Sequence, residues 1–221
     1  SWLKTFSKFM LARAFVSKDP TEGVPSLVHK HLNKNRDSLS ESDLIRLKEY
    51  LQAHNRHFLL ATYILYYTFL RPHEMSCIKI EDISIKGQTI RVWGENAKNH
   101  NDAVVTMPKK ILKLMLELDV FSHPGSHYLF SRDFRPGTEY RSEKCFRDYW
   151  SRVLRKELGF SSRYKFYSLK DTGITNMLRK NIDAVSVRDQ ARHSSIEITN
   201  IYVSKSDMKA NKSLLDYDDD F

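Results

Sequence analysis

Two cysteines in 221 residues are too few for a disulfide framework, and Cys77 and Cys145 form no CxxC pattern that would hold a structural zinc. Both lie in helix-like stretches and are expected to be buried free thiols in a reducing compartment. The longest apolar run, Phe58 to Leu70, has 13 residues, short of the roughly 18 that cross a bilayer. No signal-peptide pattern precedes it, and the start at Ser1 rather than Met reads as a shortened N-terminus. No glycine-rich phosphate loop and no carboxylate cluster suited to Mg²⁺ is present, so no nucleotide cofactor and no metal are expected. Internal repeats are missing, and the one low-complexity stretch is an acidic tail. A cytoplasmic protein without membrane partners is the expectation.

Charge and apolar residues are plentiful. Hydrophobic residues make up 41% and charged residues 29%, which suits a soluble globular chain with one good core. The formal charge is +9, and without Asp216, Asp218, Asp219 and Asp220 the rest stands at +13. A body so basic attracts polyanions, nucleic acid being the commonest, although a merely solvated Lys/Arg surface gives the same count.

Apolar periodicity sets out the elements. Trp2, Phe6, Phe9 and Met10 recur at helical spacing, which predicts an amphipathic helix over residues 2–16. One helix cannot bury such a face alone, so it either docks on the main domain or ends a domain that precedes it; the second is preferred. Asp19-Pro20 closes it, and a linker follows over residues 20–37. Ser40-x-x-Asp43 predicts a capped helix with Leu44, Leu47 and Leu51 on one face. The run from Phe58 predicts a central buried helix, and Pro72 suits the first turn of the next. Ile83–Ile85, Thr89–Trp93 and Ala103–Met107 are β-branched and predict a three-stranded antiparallel sheet. Helical patterns return at Lys109–Leu118, Arg141–Leu158, Ser168–Arg179, Ala184–Ala191 and Ser194–Val203. The fold class is therefore α+β, predominantly α-helical, with a small three-stranded antiparallel sheet.

Three local signals carry chemistry. Arg71, in Phe69-Leu70-Arg71-Pro72-His73-Glu74, sits where a buried helix ends, either facing a cleft or simply paired with Glu74. Tyr167 and Lys170 are three apart and share a helical face, as in any amphipathic helix start. His193 precedes a Ser-Ser helix start in which Ser194 and Glu197 suit a capping box, with Tyr202 nine positions on; a core tyrosine and a loop histidine are the plainer alternative.

Taken together, these segments resemble the tyrosine recombinase (phage integrase) family in order and spacing. The family's "T-G-L-R-x-x-E" is similar to Thr68-Phe69-Leu70-Arg71-Pro72-His73-Glu74 apart from the glycine, and its hairpin lysine fits Lys98. Its "H-x-L-R-H-T" corresponds to Tyr167-Ser168-Leu169-Lys170-Asp171-Thr172. Its "G-H-S-S-x-x-x-T-x-x-Y" corresponds to Arg192-His193-Ser194-Ser195 through Thr199 to Tyr202. Lysine for the second arginine and tyrosine for the first histidine are departures, and the "Y-S-x-K-x-T-G" form resembles mobile-element integrases of a Bacteroidetes-like branch.

The resemblance implies residues 38–205 as catalytic domain, residues 1–19 as the last helix of a core-binding domain, and a tail over residues 206–221 that packs on a neighbouring protomer. It further implies a site-specific DNA recombinase that works without metal through a 3′-phosphotyrosyl intermediate at Tyr202. Arg71, Lys170 and His193 would hold the phosphate, with Tyr167 beside them and Lys98 as general acid. The cationic surroundings are expected to favour the Tyr202 phenolate. The partners implied are double-stranded DNA and further protomers on it. Arg91, Arg132, Arg135, Arg141, Lys144 and Arg163 are candidate DNA contacts, and each is equally at home on an ordinary basic surface. The alternative is a catalytically inactive recombinase-fold regulator that binds DNA.

Overall fold

Residues 2–24, 36–97 and 100–202 are described by the computed structural model. The chain divides into two units, Ser1–Asn35 and Arg36–Phe221. The first contains helix α1 (Trp2–Ala12), which stops four residues short of the expected end. The left-handed Ala14 (φ 55°) closes it off, its N–H donating to the Leu11 carbonyl at 3.0 Å and the Phe15 N–H to the Met10 carbonyl at 3.0 Å. Beyond it the Asp19 carboxylate accepts from the Ser7 hydroxyl and, at 2.8 Å, from the Thr21 N–H. Trp2 stacks on Phe6 at 5.3 Å, and both remain exposed with Phe9.

The second unit is built around one apolar helix. Ser40 accepts from the Asp43 N–H at 3.1 Å and starts α2 (Glu41–His54), which buries Leu47 and Leu51. Asn55 ends α2 and starts α3 (Arg56–Thr68), its side chain accepting from the Phe58 N–H at 2.8 Å. Phe58, Leu59, Leu60, Ala61, Ile64 and Leu65 are all buried, so α3 is the central helix expected. Pro72 takes the first position of α4 (Pro72–Cys77).

Strands β1 (Ile83–Ser84), β2 (Thr89–Val92) and β3 (Ala103–Thr106) form the antiparallel sheet in order β1-β2-β3, with Ile83 opposite Ile90 and Ile90 opposite Val105. Each strand is at least a residue shorter than expected. Helix α5 (Lys109–Glu117) follows. The helix expected from Arg141 starts instead at Lys144: α6 (Lys144–Tyr149) continues through a π-helical turn at Trp150–Leu154 into α7 (Arg155–Glu157). It buries Phe146 and Trp150, and Phe146 stacks on Phe166 at 5.3 Å. Cys77 and Cys145 are half-buried free thiols rather than fully enclosed ones.

Helices α8 (Ser168–Arg179) and α9 (Ala184–Ala191) have the expected bounds. The last helix is shorter: α10 (Ile196–Asn200) is entered from Ser195, not Ser194, and Tyr202 lies in the turn after it. The left-handed Arg192 turns the chain at the end of α9, and His193 and Ser194 intervene before Ser195 opens the next helix.

Two contacts position this C-terminal part. Gly173 brings α8 so close to α3 that an added Cβ would stand 2.0 Å from the Tyr66 carbonyl oxygen and 2.9 Å from the Phe69 ring. Gln190 on α9 donates to the Thr106 carbonyl at 2.7 Å and accepts from the Thr106 N–H at 3.0 Å, satisfying the outer edge of β3. A small second core of Phe69, Ile174, Val187 and Ala191, with Tyr202 against it, joins the end of α3 to α8 and α9.

Gly173→Ala is expected to destabilise the fold by about 3 kcal/mol, because the atom it meets is helix backbone that cannot swing aside. A urea unfolding midpoint unchanged from the parent would contradict this close approach.

Candidate active site

Segments far apart in sequence meet at one pocket of about 600 Å³, lined by Arg36, Arg71, Tyr167, Lys170, Arg192, His193, Ser194, Ile198 and Tyr202. Of the expected site residues, Arg71, Tyr167, Lys170, His193 and Tyr202 come together there. Lys98 and the expected tail over residues 206–221 lie outside the described residues.

Buried carboxylates organise the cations. Glu74, in the first turn of α4, accepts from the Arg71 N–H at 2.7 Å, from Arg71 Nη1 at 2.9 Å, and from Arg192 Nη2. Burial pushes its carboxyl up, but Arg192 and Arg71 outweigh that and hold it below the usual range. The pairing of Arg71 with Glu74 and its place at a cleft, read from sequence as alternatives, are both present. Asp171 on α8, 4% exposed, plays the same part on the other side. It pairs with Arg36 and accepts from the Tyr202 hydroxyl at 2.7 Å.

Lys170 is buried, and its Nζ donates to the Phe69 carbonyl at 2.7 Å. That carbonyl is turned towards α8 by the left-handed conformation of Phe69 (φ 58°) at the end of α3. Burial first, then Arg71 and Arg192, push the Lys170 ammonium down to about 7. Tyr167 lies beneath Arg36, whose guanidinium carbon is 4.5 Å from the ring centroid. Its ring is thus a platform for a cation, and burial pushes its phenol up. His193 Nδ1 is hydrogen-bonded to Thr199 Oγ1 at 2.9 Å, and its ring stacks on Tyr202 at 6.2 Å.

The expectation that these surroundings favour the Tyr202 phenolate does not hold for the groups the fold places around it. Burial, and then the Asp171 carboxylate, drive the phenol strongly upward, with Arg36 opposing only in part. A proton shared with a carboxylate is held, not released.

Sequence reasoning missed Arg36, Arg192 and Asp171. Arg36 was absorbed into the linker; Arg192 and Asp171 sat inside quoted motifs, and the charges that give them meaning come from distant segments. None of the candidate DNA contacts Arg91, Arg132, Arg135, Arg141, Lys144 and Arg163 lines the pocket. Arg91 pairs with Asp102 at 2.9 Å, Arg141 with Glu139 at 3.6 Å and Arg163 with Asp37 at 2.6 Å, all at the surface.

The sequence model of the phage integrase family matches residues 37–209. A tyrosine recombinase of Pseudothermotoga lettingae is 23% identical over 215 residues, covering 95% of this chain and 70% of the relative. Tyrosine recombinase XerA of Pyrococcus furiosus is 29% identical over 167 residues, covering 75% of this chain and 56% of its own length. Among solved structures, XerA recombinase superposes with a TM-score of 0.62 at 24% identity, covering 94% of this chain and 69% of that one. The Tn1549 transposon integrase in complex with circular intermediate DNA gives 0.67 at 13% identity, covering 95% and 73%. A lambda integrase dimer bound to a COC′ core site gives 0.66 at 16% identity, with the same coverage of 95% and 73%.

Lys170 generates a pH prediction. Its folded pKa lies below the unfolded value, so between pH 7 and 9 the unfolded chain keeps a proton that the folded chain gives up, and stability rises with pH. Above about 9 the sign reverses for Cys145, whose thiol burial holds up at about 11 while the unfolded thiol ionises. Urea unfolding of the parent is expected to gain about 2 kcal/mol from pH 7 to 9, and Lys170→Met is expected to lose that gain. Parallel pH profiles for the two proteins would contradict it.

Proposed function

This chain belongs to the phage integrase family, and from that premise we propose that it is a site-specific DNA recombinase of the tyrosine type, cutting and rejoining DNA for a mobile element of the Bacteroidetes-like branch. What supports the reading is the convergence of Arg71, Lys170, Arg192, His193 and Tyr202 on one pocket, with Arg36 at its side.

A phosphodiester is an anion, and nucleophilic attack builds further charge on its non-bridging oxygens. Cations already fixed around it stabilise that charge without reorganising. Arg71 is held by Glu74 with its side chain partly open to the pocket, and Lys170 regains its proton as an anion arrives. His193, oriented through Thr199, adds a hydrogen bond. Tyr202 passes its phenol proton to the Asp171 carboxylate that accepts from it and attacks phosphorus: the Oη–P bond forms, the P–O5′ bond breaks, and a 3′-phosphotyrosyl link and a 5′-hydroxyl result. Lys98 is assigned, from sequence alone, the proton that turns the leaving 5′-oxygen into that hydroxyl. A second 5′-hydroxyl reverses the step, so the chain's own residues suffice without a metal.

Double-stranded DNA and further copies of the chain are the partners in this reading. The chain spans 56–70% of the length of the tyrosine recombinases from Pyrococcus furiosus and Pseudothermotoga lettingae. The exposed Trp2, Phe6 and Phe9 on α1 suit the last helix of a core-binding domain, with residues 20–37 as linker, 38–205 as catalytic domain, and 206–221 as a tail for a neighbouring protomer. Arg91, Arg132, Arg135, Arg141, Lys144 and Arg163 are the candidate backbone contacts outside the pocket.

One observation favours a second reading, an inactive regulator that binds DNA: Lys170 is committed to a backbone carbonyl and Tyr202 to a carboxylate. A library of nicked duplexes incubated with the chain in EDTA separates the two. The recombinase is expected to leave complexes that survive denaturation and that Tyr202→Phe abolishes. Retention of DNA that falls by about 1,000-fold between 50 and 200 mM salt, with no such complex, would establish the regulator instead.

A further inference from the structure

Arg192 follows the last residue of α9 with φ 54° and ψ 46°, its N–H closing on the Arg188 and Asp189 carbonyls. A residue without Cβ takes this left-handed position most easily, yet a long cationic side chain occupies it. That side chain is only 9% exposed and lines the pocket with Arg71, Lys170, His193 and Tyr202. Its Nη2 meets Glu74, whereas Nε and Nη1 are buried with no acceptor among the described residues. Buried N–H groups are nearly always satisfied, so the folded chain has left these for an acceptor it does not supply. Lys170, the other cation at that depth, already spends a hydrogen bond on the Phe69 carbonyl, and an ammonium lacks the planar fork that matches a phosphate.

We propose that Arg192 is a catalytic residue that hydrogen-bonds a non-bridging oxygen of the scissile phosphate beside Arg71, supplying the second guanidinium that Lys170 does not. Glu74 then does two things. It balances part of the charge of both arginines while the pocket is empty, and it aligns two guanidinium groups on one anion when the pocket is filled. This inference rests on the phosphodiester being the substrate of the pocket.

The test uses the chain with a nicked duplex recovered from the covalent complexes described above, made once with an ordinary scissile phosphate and once with a methylphosphonate. The methyl group removes the negative charge that a guanidinium would neutralise. Arg192→Gly suits the left-handed backbone, which offsets part of the lost pairing with Glu74, and a thermal midpoint checks that the variant is folded under the assay conditions. On phosphate it is expected to slow covalent-complex formation by about 100-fold relative to the parent. On methylphosphonate the same ratio is expected to shrink to below about 10-fold. Arg192→Lys is expected to show the same shrinkage from a smaller loss, and it carries the test if the glycine variant unfolds. An equal loss on both substrates, which misplacement of Arg71 or Glu74 would produce, overturns the proposal, as does no loss on phosphate. Tyr202→Phe, run alongside, separates the two claims: complexes that persist in it defeat the recombinase reading itself, whatever Arg192 does.

Discussion

Glu74 lies beneath the pocket almost without solvent contact and accepts from two arginines, one of them 118 residues further along the chain. A carboxylate taken out of water is strongly unfavourable unless charge and hydrogen bonds replace its hydration, and removing one partner of such a buried group costs about 3–5 kcal/mol. The interaction therefore fastens the start of α4 to the residue that ends α9. Asp171 repeats the device with Arg36 and the Tyr202 hydroxyl. Arginines that water would otherwise disperse over the surface are gathered around one cavity, each balanced in part and still cationic.

Two left-handed residues frame that arrangement, and neither is glycine. Phe69 and Arg192 both occupy helix ends with positive φ, at about 1–2 kcal/mol each relative to ordinary geometry. The Phe69 ring repays this by filling the core between α8 and α9, and its carbonyl is aimed at Lys170. Arg192 is compensated by Glu74. Strain, a depressed lysine and a phenol held by a carboxylate coincide in one pocket. An anion in the pocket would stabilise the charged lysine and share the arginines with Glu74.

Much of this was legible beforehand. α8 and α9 ran between the expected residues because apolar spacing and terminal polar residues agreed locally, and α3 announced itself by being apolar all round. What failed was local ambiguity. Two adjacent serines are equally good caps in sequence, and the helix is entered from the second of them, Ser195. The first helix ends early at a left-handed Ala14, a residue that gives no local sign of stopping a helix. Arg71, Tyr167, Lys170, His193 and Tyr202 were recognisable from motif order. Arg36, Asp171 and Arg192 were not, because a charged residue in a motif or a linker looks the same whether its partner is water or a buried group a hundred positions away. The phenolate expectation failed for the same reason: it counted the cations in the motifs and missed the carboxylate that the fold places against Tyr202.

The central claim is that this pocket exists to present a DNA phosphate to Tyr202. Proteolysis of the chain after reaction with nicked DNA, followed by mass spectrometry of the peptide still attached to the DNA, tests it most directly. The account predicts one peptide, containing Tyr202, joined to a 3′-phosphate. Attachment through a different residue, or through a 5′-phosphate, would contradict it.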